Sequence, residues 1–256
     1  MSAAPPGAAL VTGGATRIGR AVALDLGRRG WAVAVHYHAS GEAAEKLAGE
    51  ITAAGSTAVA LAADLASEDE AHGLVARATE ALGPLSLLVN NAAAFEADAV
   101  TTVTRESWDR HLEVNLRAPF VLIQDFAAAL GDAAEGNVIN LLDQRVWNLT
   151  PSFTSYTLSK SGLWTLTRSL ALALAPAIRV NAIGPGPTLR SERQTEAQFA
   201  RQCAATPLGR GTTPEEICEA LAFILGARAM TGQMIALDGG QHLDWAPAAG
   251  YHPEPE

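Results

Sequence analysis

Tyr156 and Lys160 stand four positions apart in the stretch "SYTLSKSG", and an aspartate, Asp143, precedes the tyrosine by thirteen positions. On a helix, residues four apart share one face. An ammonium beside a phenol favours the phenolate and draws the tyrosine pKa down from about 10 toward the working range. Such a tyrosine gives a proton to the atom next to one that receives hydride. Asp143 is a different kind of group. Ionised, it only accepts hydrogen bonds and repels an oxyanion; it donates only when its pKa is raised. A nitrogen heterocycle suits it better, because a carboxylate accepts from ring N–H or amino groups and helps polarise a C=N bond. The plainer role for Asp143 is a structural acid capping the next loop. Tyr-x-x-x-Lys is common by chance in helices, so its meaning depends on the surrounding elements.

Those elements alternate along the chain. "GAALVTGG" is an apolar run ending in glycines, "RIGRAVALDLGRRG" is amphipathic, and "WAVAVHYH" is β-like again. This is strand, Gly-rich turn, helix, strand. The alternation continues through "STAVALAADL", "LSLLVNNAA", "GNVINLL", "IRVNAIGPG" and "MTGQMIALDGG" as strands. Helical segments separate them, including one long helix over "ESWDRHLEVNLRAPFVLIQDFAAAL" and another over "YTLSKSGLWTLTRSLALALA". Near-continuous apolar strands suit a parallel sheet covered on both faces. The expected architecture is α/β: a single doubly wound Rossmann-type domain over residues 1–256, with a parallel sheet of about seven strands. Pro187 to Thr212 interrupts the alternation beyond a strand end and is expected to form a substrate lid. The Pro-rich, acidic tail, about residues 244–256, has no assigned role.

The segment "VTGGATRIGRA" follows the first strand and opens the first helix. Glycines there let backbone approach a pyrophosphate, and the helix N-terminus supplies N–H donors. Gly13 and Gly19, with Arg17 and Ile18 before the second of them, therefore mark a dinucleotide site. A carboxylate at the end of the second strand would favour NAD. His36, Tyr37, His38, Ala39 and Ser40 stand there instead. With Arg17 in the turn, a cation, a hydroxyl and imidazoles suit a 2′-phosphate, so NADPH is the expected cofactor.

Bulk properties exclude several other classes. With 48% hydrophobic and 18% charged residues among 256, a large core is available. A net charge of -9 disfavours general nucleic-acid binding. No apolar run reaches the roughly 18 residues needed to span a bilayer, so no membrane partner is expected. The N-terminus lacks a basic n-region followed by an apolar stretch. Cys203 and Cys218 form no C-x-x-C pair or Cys/His cluster, which points to reduced thiols, no metal site and a cytoplasmic setting.

Thr12-Gly13-x-x-x-Arg17-x-Gly19, Asn90-Asn91-Ala92, Asn115, Tyr156-x-x-x-Lys160 and Pro185-Gly186 together resemble the short-chain dehydrogenase/reductase family, over about residues 7 to 243. Arg17 in place of a glycine and Asp143 in place of the usual serine resemble its pteridine reductase-like branch. "HYHAS" resembles that branch's 2′-phosphate segment, where an arginine often stands at the Ala39 position; its loss leaves Arg17, His38 and Ser40 as the implied ligands. The resemblance implies that Asp64 and Leu65 sit by the adenine, that Asn91 and Ala92 line the cofactor ribose, and that Pro185 and Gly186 contact the nicotinamide side. It implies that Asn115 kinks its helix and holds a water relaying protons to Lys160, which also bonds the nicotinamide ribose. "NNAAAF" resembles the branch's Asn-Asn-Ala-Ser-x-Phe, in which the aromatic, here Phe95, stacks on the pterin. Ala93 departs from that pattern by lacking a hydroxyl.

The expected activity is therefore NADPH-dependent reduction of a C=N bond in a planar, pterin-like nitrogen heterocycle, with Asp143, Tyr156, Lys160 and Asn115 as the catalytic set. Phe95, Asp143 and Tyr156 are the expected substrate contacts. Arg145 and Trp147 lie near the expected pocket rim, where packing or subunit contact explains them equally well. The helices bearing Asn115 and Tyr156 resemble those at the family's subunit interfaces, which implies a homotetramer. A carbonyl reductase or alcohol dehydrogenase on the same fold is the alternative, and a non-catalytic NADPH-binding sensor is an alternative of another class.

Overall fold

Seven apolar runs form seven strands: β1 (Ala8–Val11), β2 (Ala32–Tyr37), β3 (Ala58–Ala62), β4 (Leu85–Asn90), β5 (Gly136–Leu141), β6 (Ile178–Pro185) and β7 (Met234–Leu237). They are seen in a computed structural model that describes residues 7–131 and 135–243. The N-terminal stretch and the acidic tail lie outside the described residues. The strands pair in parallel in the order β3-β2-β1-β4-β5-β6-β7. Between them run α1 (Arg17–Arg28), α2 (Gly41–Ala53), α3 (Glu68–Leu82), α4 (Arg105–Leu112), α5 (Ala118–Ala129), α6 (Thr154–Ala173), α7 (Glu196–Ala204) and α8 (Pro214–Gly226).

Both sheet faces are buried, as the near-continuous apolar strands require. Val22 and Leu26 of α1, Leu47 and Ile51 of α2, and Ile217 and Leu221 of α8 pack on Val11, Val33 and Val89. On the opposite face Leu74 of α3, Leu122 and Phe126 of α5, and Ala171 of α6 pack on Leu10, Leu88, Val138 and Val180. Each fully buried side chain of this size contributes about 1.5–3 kcal/mol. The chain leaves β3 at the sheet edge and re-enters at β4 beside β1. The resulting switch point opens a crevice outside the C-terminal ends of β1 and β4, where ligands bind in open α/β sheets.

The long helix read over residues 106–130 is divided. α4 and α5 are joined by a π-helical turn, Glu113–Arg117. Pro119 has no N–H to donate one turn back, which weakens the regular ladder there. The Asn115 side chain pins the turn, accepting from Ala94 N at 2.7 Å and donating to Ala94 O at 2.9 Å. The insert Pro187 to Thr212 lies between β6 and α8 and contains α7, whose N-terminus is closed by reciprocal Thr195 and Gln198 bonds. Among the described residues, no helix is long and apolar enough to cross a membrane. Cys203 and Cys218 are unbridged.

Candidate active site

Asp143 leaves the end of β5, and Tyr156 lies in the first turn of α6. The Tyr156 hydroxyl donates to Asp143 Oδ2 at 3.1 Å. The other carboxylate oxygen, Oδ1, accepts from Arg145 N at 2.8 Å and closes the short turn Gln144–Val146. The two roles weighed for this aspartate are thus divided between its oxygens: one shapes the loop and one meets the phenol. One turn along α6, Lys160 is 2% exposed. Its Nζ donates to Leu141 O at 2.7 Å and lies 5.9 Å from the Tyr156 ring centre. Burial pushes the Lys160 pKa down from 10.5 to about 8, with the Asp143 charge opposing the fall. An ammonium has three hydrogens, so the Leu141 carbonyl leaves two for other acceptors. Asn115, from the π turn, donates to Ser159 Oγ at 3.0 Å, and Ser159 Oγ donates to Tyr156 O at 2.7 Å. It therefore reaches α6 through a serine.

The glycine turn sits at the end of β1. Gly13 has φ +59, a left-handed value that glycine adopts without strain, and a Cβ there would lie 3.0 Å from Ala92 Cα. A Cβ on Gly19 would lie 2.1 Å from Gly13 O, so only glycine lets α1 approach the turn this closely. Thr12 Oγ1 accepts from Asn91 N at 2.9 Å and Ala92 N at 3.0 Å, and Asn91 Nδ2 donates to Thr12 O and Gly13 O. The β1 and β4 ends are thereby locked together. At the start of α1, Thr16 makes no side-chain cap, and the first turn holds no acid. Uncapped N–H donors without a competing carboxylate fit the pyrophosphate of a dinucleotide.

His36 differs from its expected placement. It is 2% exposed, accepts from Gly13 N through Nδ1 at 3.0 Å, and bonds Ala63 O through Nε2 at 3.0 Å. With both ring nitrogens held by backbone, it braces the glycine turn from beneath and does not face a ribose. His38 and Ser40 are exposed at the end of β2, while Tyr37 is half-buried. His38 Nε2 lies 3.8 Å from Asp64 Oδ2. Leu65 beside it is buried.

Arg17, the other expected phosphate ligand, is exposed and bonded to the segment after β6. Its backbone is left-handed (φ 52), and its guanidinium donates to Leu189 O at 3.1 Å and Arg190 O at 3.0 Å. It thus ties the start of α1 to the insert between β6 and α8. The insert helps line a cavity of about 220 Å³, whose walls include Arg17, Phe95, Asp143, Tyr156, Gly186 and Phe199. Arg193 adds a second tie, donating to Phe95 O at 2.6 Å. One face of Phe95 is already taken: its ring stacks on Phe153 at 4.7 Å and 3°. It also meets Tyr156 edge-on at 4.7 Å. Arg145 lies 4.4 Å from the Phe153 ring centre, and Trp147 packs edge-on against Trp164 and His242.

A left-handed non-glycine residue costs about 1–2 kcal/mol. Arg17→Gly therefore removes strain while it removes both bonds to the insert. We expect its thermal midpoint to stay within a few degrees of the wild type, with cleavage inside residues 187–212 several-fold faster. Limited proteolysis with mass-spectrometric mapping measures this; an unchanged cleavage rate would mean that the order of this segment does not depend on Arg17.

Sequence reasoning missed a buried group behind the tyrosine: Asp98, His111 and Ser155, at 6%, 0% and 0% exposure. It quoted Thr12 only as part of a pattern, although its hydroxyl joins two strand ends. The available signal was polar side chains inside segments otherwise destined for burial.

The chain matches the family model described as Enoyl-(Acyl carrier protein) reductase over residues 13–242. It is 32% identical over 240 residues to the 3-oxoacyl-[acyl-carrier-protein] reductase FabG of Staphylococcus aureus, covering 92% of this chain and 98% of that protein. It is 35% identical to an uncharacterised oxidoreductase of Methylorubrum extorquens, covering 91% and 96% of the two chains. Among solved structures, FolM alternative dihydrofolate reductase 1 from Brucella canis, complexed with NADP, superimposes with a TM-score of 0.92 at 47% identity, covering 96% and 98%. A blue fluorescent protein from a metagenomic library, in complex with NADPH, gives 0.85 at 33%, covering 92% and 97%. With the glycine turn, the Tyr156 and Lys160 pair and these matches along nearly its whole length, the chain belongs to the short-chain dehydrogenase/reductase family of oxidoreductases.

Proposed function

We propose that the protein is an NADPH-dependent reductase acting on a C=N bond of a pterin- or folate-type ring. The observation that carries this reading is the bond from the Tyr156 hydroxyl to Asp143 Oδ2. A carboxylate accepting from the proton donor leaves the site suited to a substrate with N–H groups and unsuited to a developing alkoxide. The FolM structures from two Brucella species, at 47% and 48% identity, support it.

Bound NADPH would supply the hydride; the chain's own groups hold it and manage the proton. Gly13, Gly19 and the start of α1 would receive the pyrophosphate, with Ile18 alongside. Arg17, His38 and Ser40 would receive the 2′-phosphate, and Asp64 and Leu65 the adenine. Asn91, Ala92 and the remaining Lys160 hydrogens would meet the nicotinamide ribose, and Pro185 and Gly186 the nicotinamide side. Tyr156 would deliver a proton to the ring nitrogen as hydride reaches the adjacent carbon. The Lys160 ammonium stabilises the phenolate left behind. Asp143 Oδ2 would release the Tyr156 hydroxyl hydrogen to the ring nitrogen and accept from substrate N–H in its place. Phe95 would offer the ring face not covered by Phe153. Homotetramer formation belongs to this reading. It would use the face where Leu112, Leu116, Phe120 and Leu166 line a depression of about 320 Å³.

A second reading, reduction of a ketone, is favoured by the similarity to FabG. The two separate in one assay. Purified protein is given NADPH with dihydropterins, dihydrofolate, a quinone and small ketones, and nicotinamide absorbance is followed. Turnover of a pterin or folate is the expected result. Turnover of ketones alone would select the second reading.

A further inference from the structure

The helix that carries Tyr156 and Lys160 begins without a cap of its own. Its N-cap residue, Phe153, is left-handed (φ 61, ψ 48) and has no side-chain acceptor to offer. Twenty residues of α6 thus present an uncapped, partially positive end. Asp98, on the loop after β4, supplies what is missing. Its backbone O accepts from Phe153 N at 2.6 Å, and its Oδ1 accepts from Ser155 N at 3.2 Å. Its Oδ2 accepts a short bond from the Ser155 hydroxyl.

His111 of α4 completes the group. Its Nε2 accepts from Glu96 N at 3.0 Å, so a neutral ring carries its proton on Nδ1. Nδ1 then donates to Ser155 Oγ at 2.7 Å, and the serine passes its own proton toward Asp98. Burial pushes the His111 pKa down while Asp98 and Glu96 pull it up, and burial is the larger effect, in keeping with a neutral ring. The donors and acceptors along this chain match in order. It ties three segments together: the loop bearing Phe95, helix α4 and the first turn of α6. The His111 ring lies 5.9 Å from the Tyr156 ring.

We propose that Asp98, Ser155 and His111 are positioning residues that fix the first turn of α6, and with it the Tyr156 hydroxyl, against the loop that carries Phe95. The proposal rests on Tyr156 being the proton donor. Ser155 precedes Tyr156 by one residue, so a shift of one carries the other. Displacing a reacting group by about 1 Å costs up to a hundredfold in rate. The cofactor turn lies at the end of β1 and shares none of these bonds.

Ser155→Ala removes the hydroxyl between Asp98 and His111 without changing charge. NADPH sites are titrated first, and turnover is expressed per site. Turnover per site is expected to fall about tenfold to a hundredfold, with NADPH affinity unchanged. Asp98→Asn keeps an acceptor for Ser155 and is expected to lose less than Asp98→Ala; this pair also serves if Ser155→Ala folds poorly. A substrate-free measurement accompanies them, the absorbance titration of the Tyr156 phenol, obtained by difference from Tyr156→Phe. Charged or titratable groups around that phenol are Asp143 after β5, Lys160 on its own helix and His111 on α4, with Arg145 and Arg193 beside Phe95. Ser155→Ala is expected to shift the phenol titration away from its wild-type position, because a loosened first turn changes its distance from both Asp143 and Lys160. A lower thermal midpoint with unchanged turnover per site and an unchanged titration would overturn the proposal. A wild type that reduces neither pterins nor ketones would defeat the proposed function, while the phenol titration still decides this one.

Discussion

Asp143→Ser is expected to lower pterin or dihydrofolate turnover by about a hundredfold or more and to raise turnover of small ketones. The argument is one of hydrogen-bond polarity. Asp143 Oδ2 accepts from Tyr156, and an ionised carboxylate has nothing to donate to a carbonyl oxygen that becomes an alkoxide. A serine hydroxyl donates to that oxygen and no longer repels it. The same serine loses the second acceptor that Arg145 N uses, so the turn Gln144–Val146 also relaxes. Tyr156→Phe separates chemistry from substrate choice: it removes the proton donor for either substrate and is expected to cost about a hundredfold to ten-thousandfold on both. Steady-state rates with one pterin and one ketone, for the wild type and both variants, measure the pattern. Wild-type turnover of ketones that survives Asp143→Ser, with no pterin turnover, would show that the carboxylate serves the loop alone.

The fold was legible because its signals are local. Apolar runs of the right length alternate with amphipathic stretches, and the glycine turn falls between the first strand and first helix, where the topology needs it. Tyr156 and Lys160 were legible for the same reason, being one helical turn apart. Asp98, His111 and Ser155 were not, since 57 residues separate the first from the last and only the fold brings them together. The end of β2 misled in a different way. A histidine at a strand terminus reads alike whether it faces solvent or the turn below; the deciding fact is that Gly13 N–H finds its acceptor in His36 Nδ1. Arg17 carried a clue that went unused. It occupies a position where the related turns have glycine, so a left-handed backbone follows from its place in the turn.

His36 should make the protein acid-labile in a window set by its own titration. Burial lowers its pKa from the ordinary 6.5 to about 4, because an imidazolium is poorly solvated beneath the turn. Its Nδ1 must also remain unprotonated to accept from Gly13 N. Between those two values the unfolded chain binds a proton that the folded chain refuses, so stability rises with pH across the window. The contribution is complete above pH 6.5 and is lost as pH falls toward about 4; below that, both states are protonated and this group adds no further loss. At about 1.4 kcal/mol for each pH unit the two states differ, the loss is on the order of 3 kcal/mol. Denaturant unfolding of the wild type and His36→Gln across the window tests it. The glutamine offers one acceptor and one donor but does not titrate, so the difference in stability between the two proteins is expected to change with pH by that amount. The same protonation would break the brace under the glycine turn, so NADPH affinity should weaken toward pH 4 in the wild type more than in the variant. Parallel stability curves for the two proteins would show that His36 titrates alike in the folded and unfolded chains and that the acid loss belongs to the carboxylates.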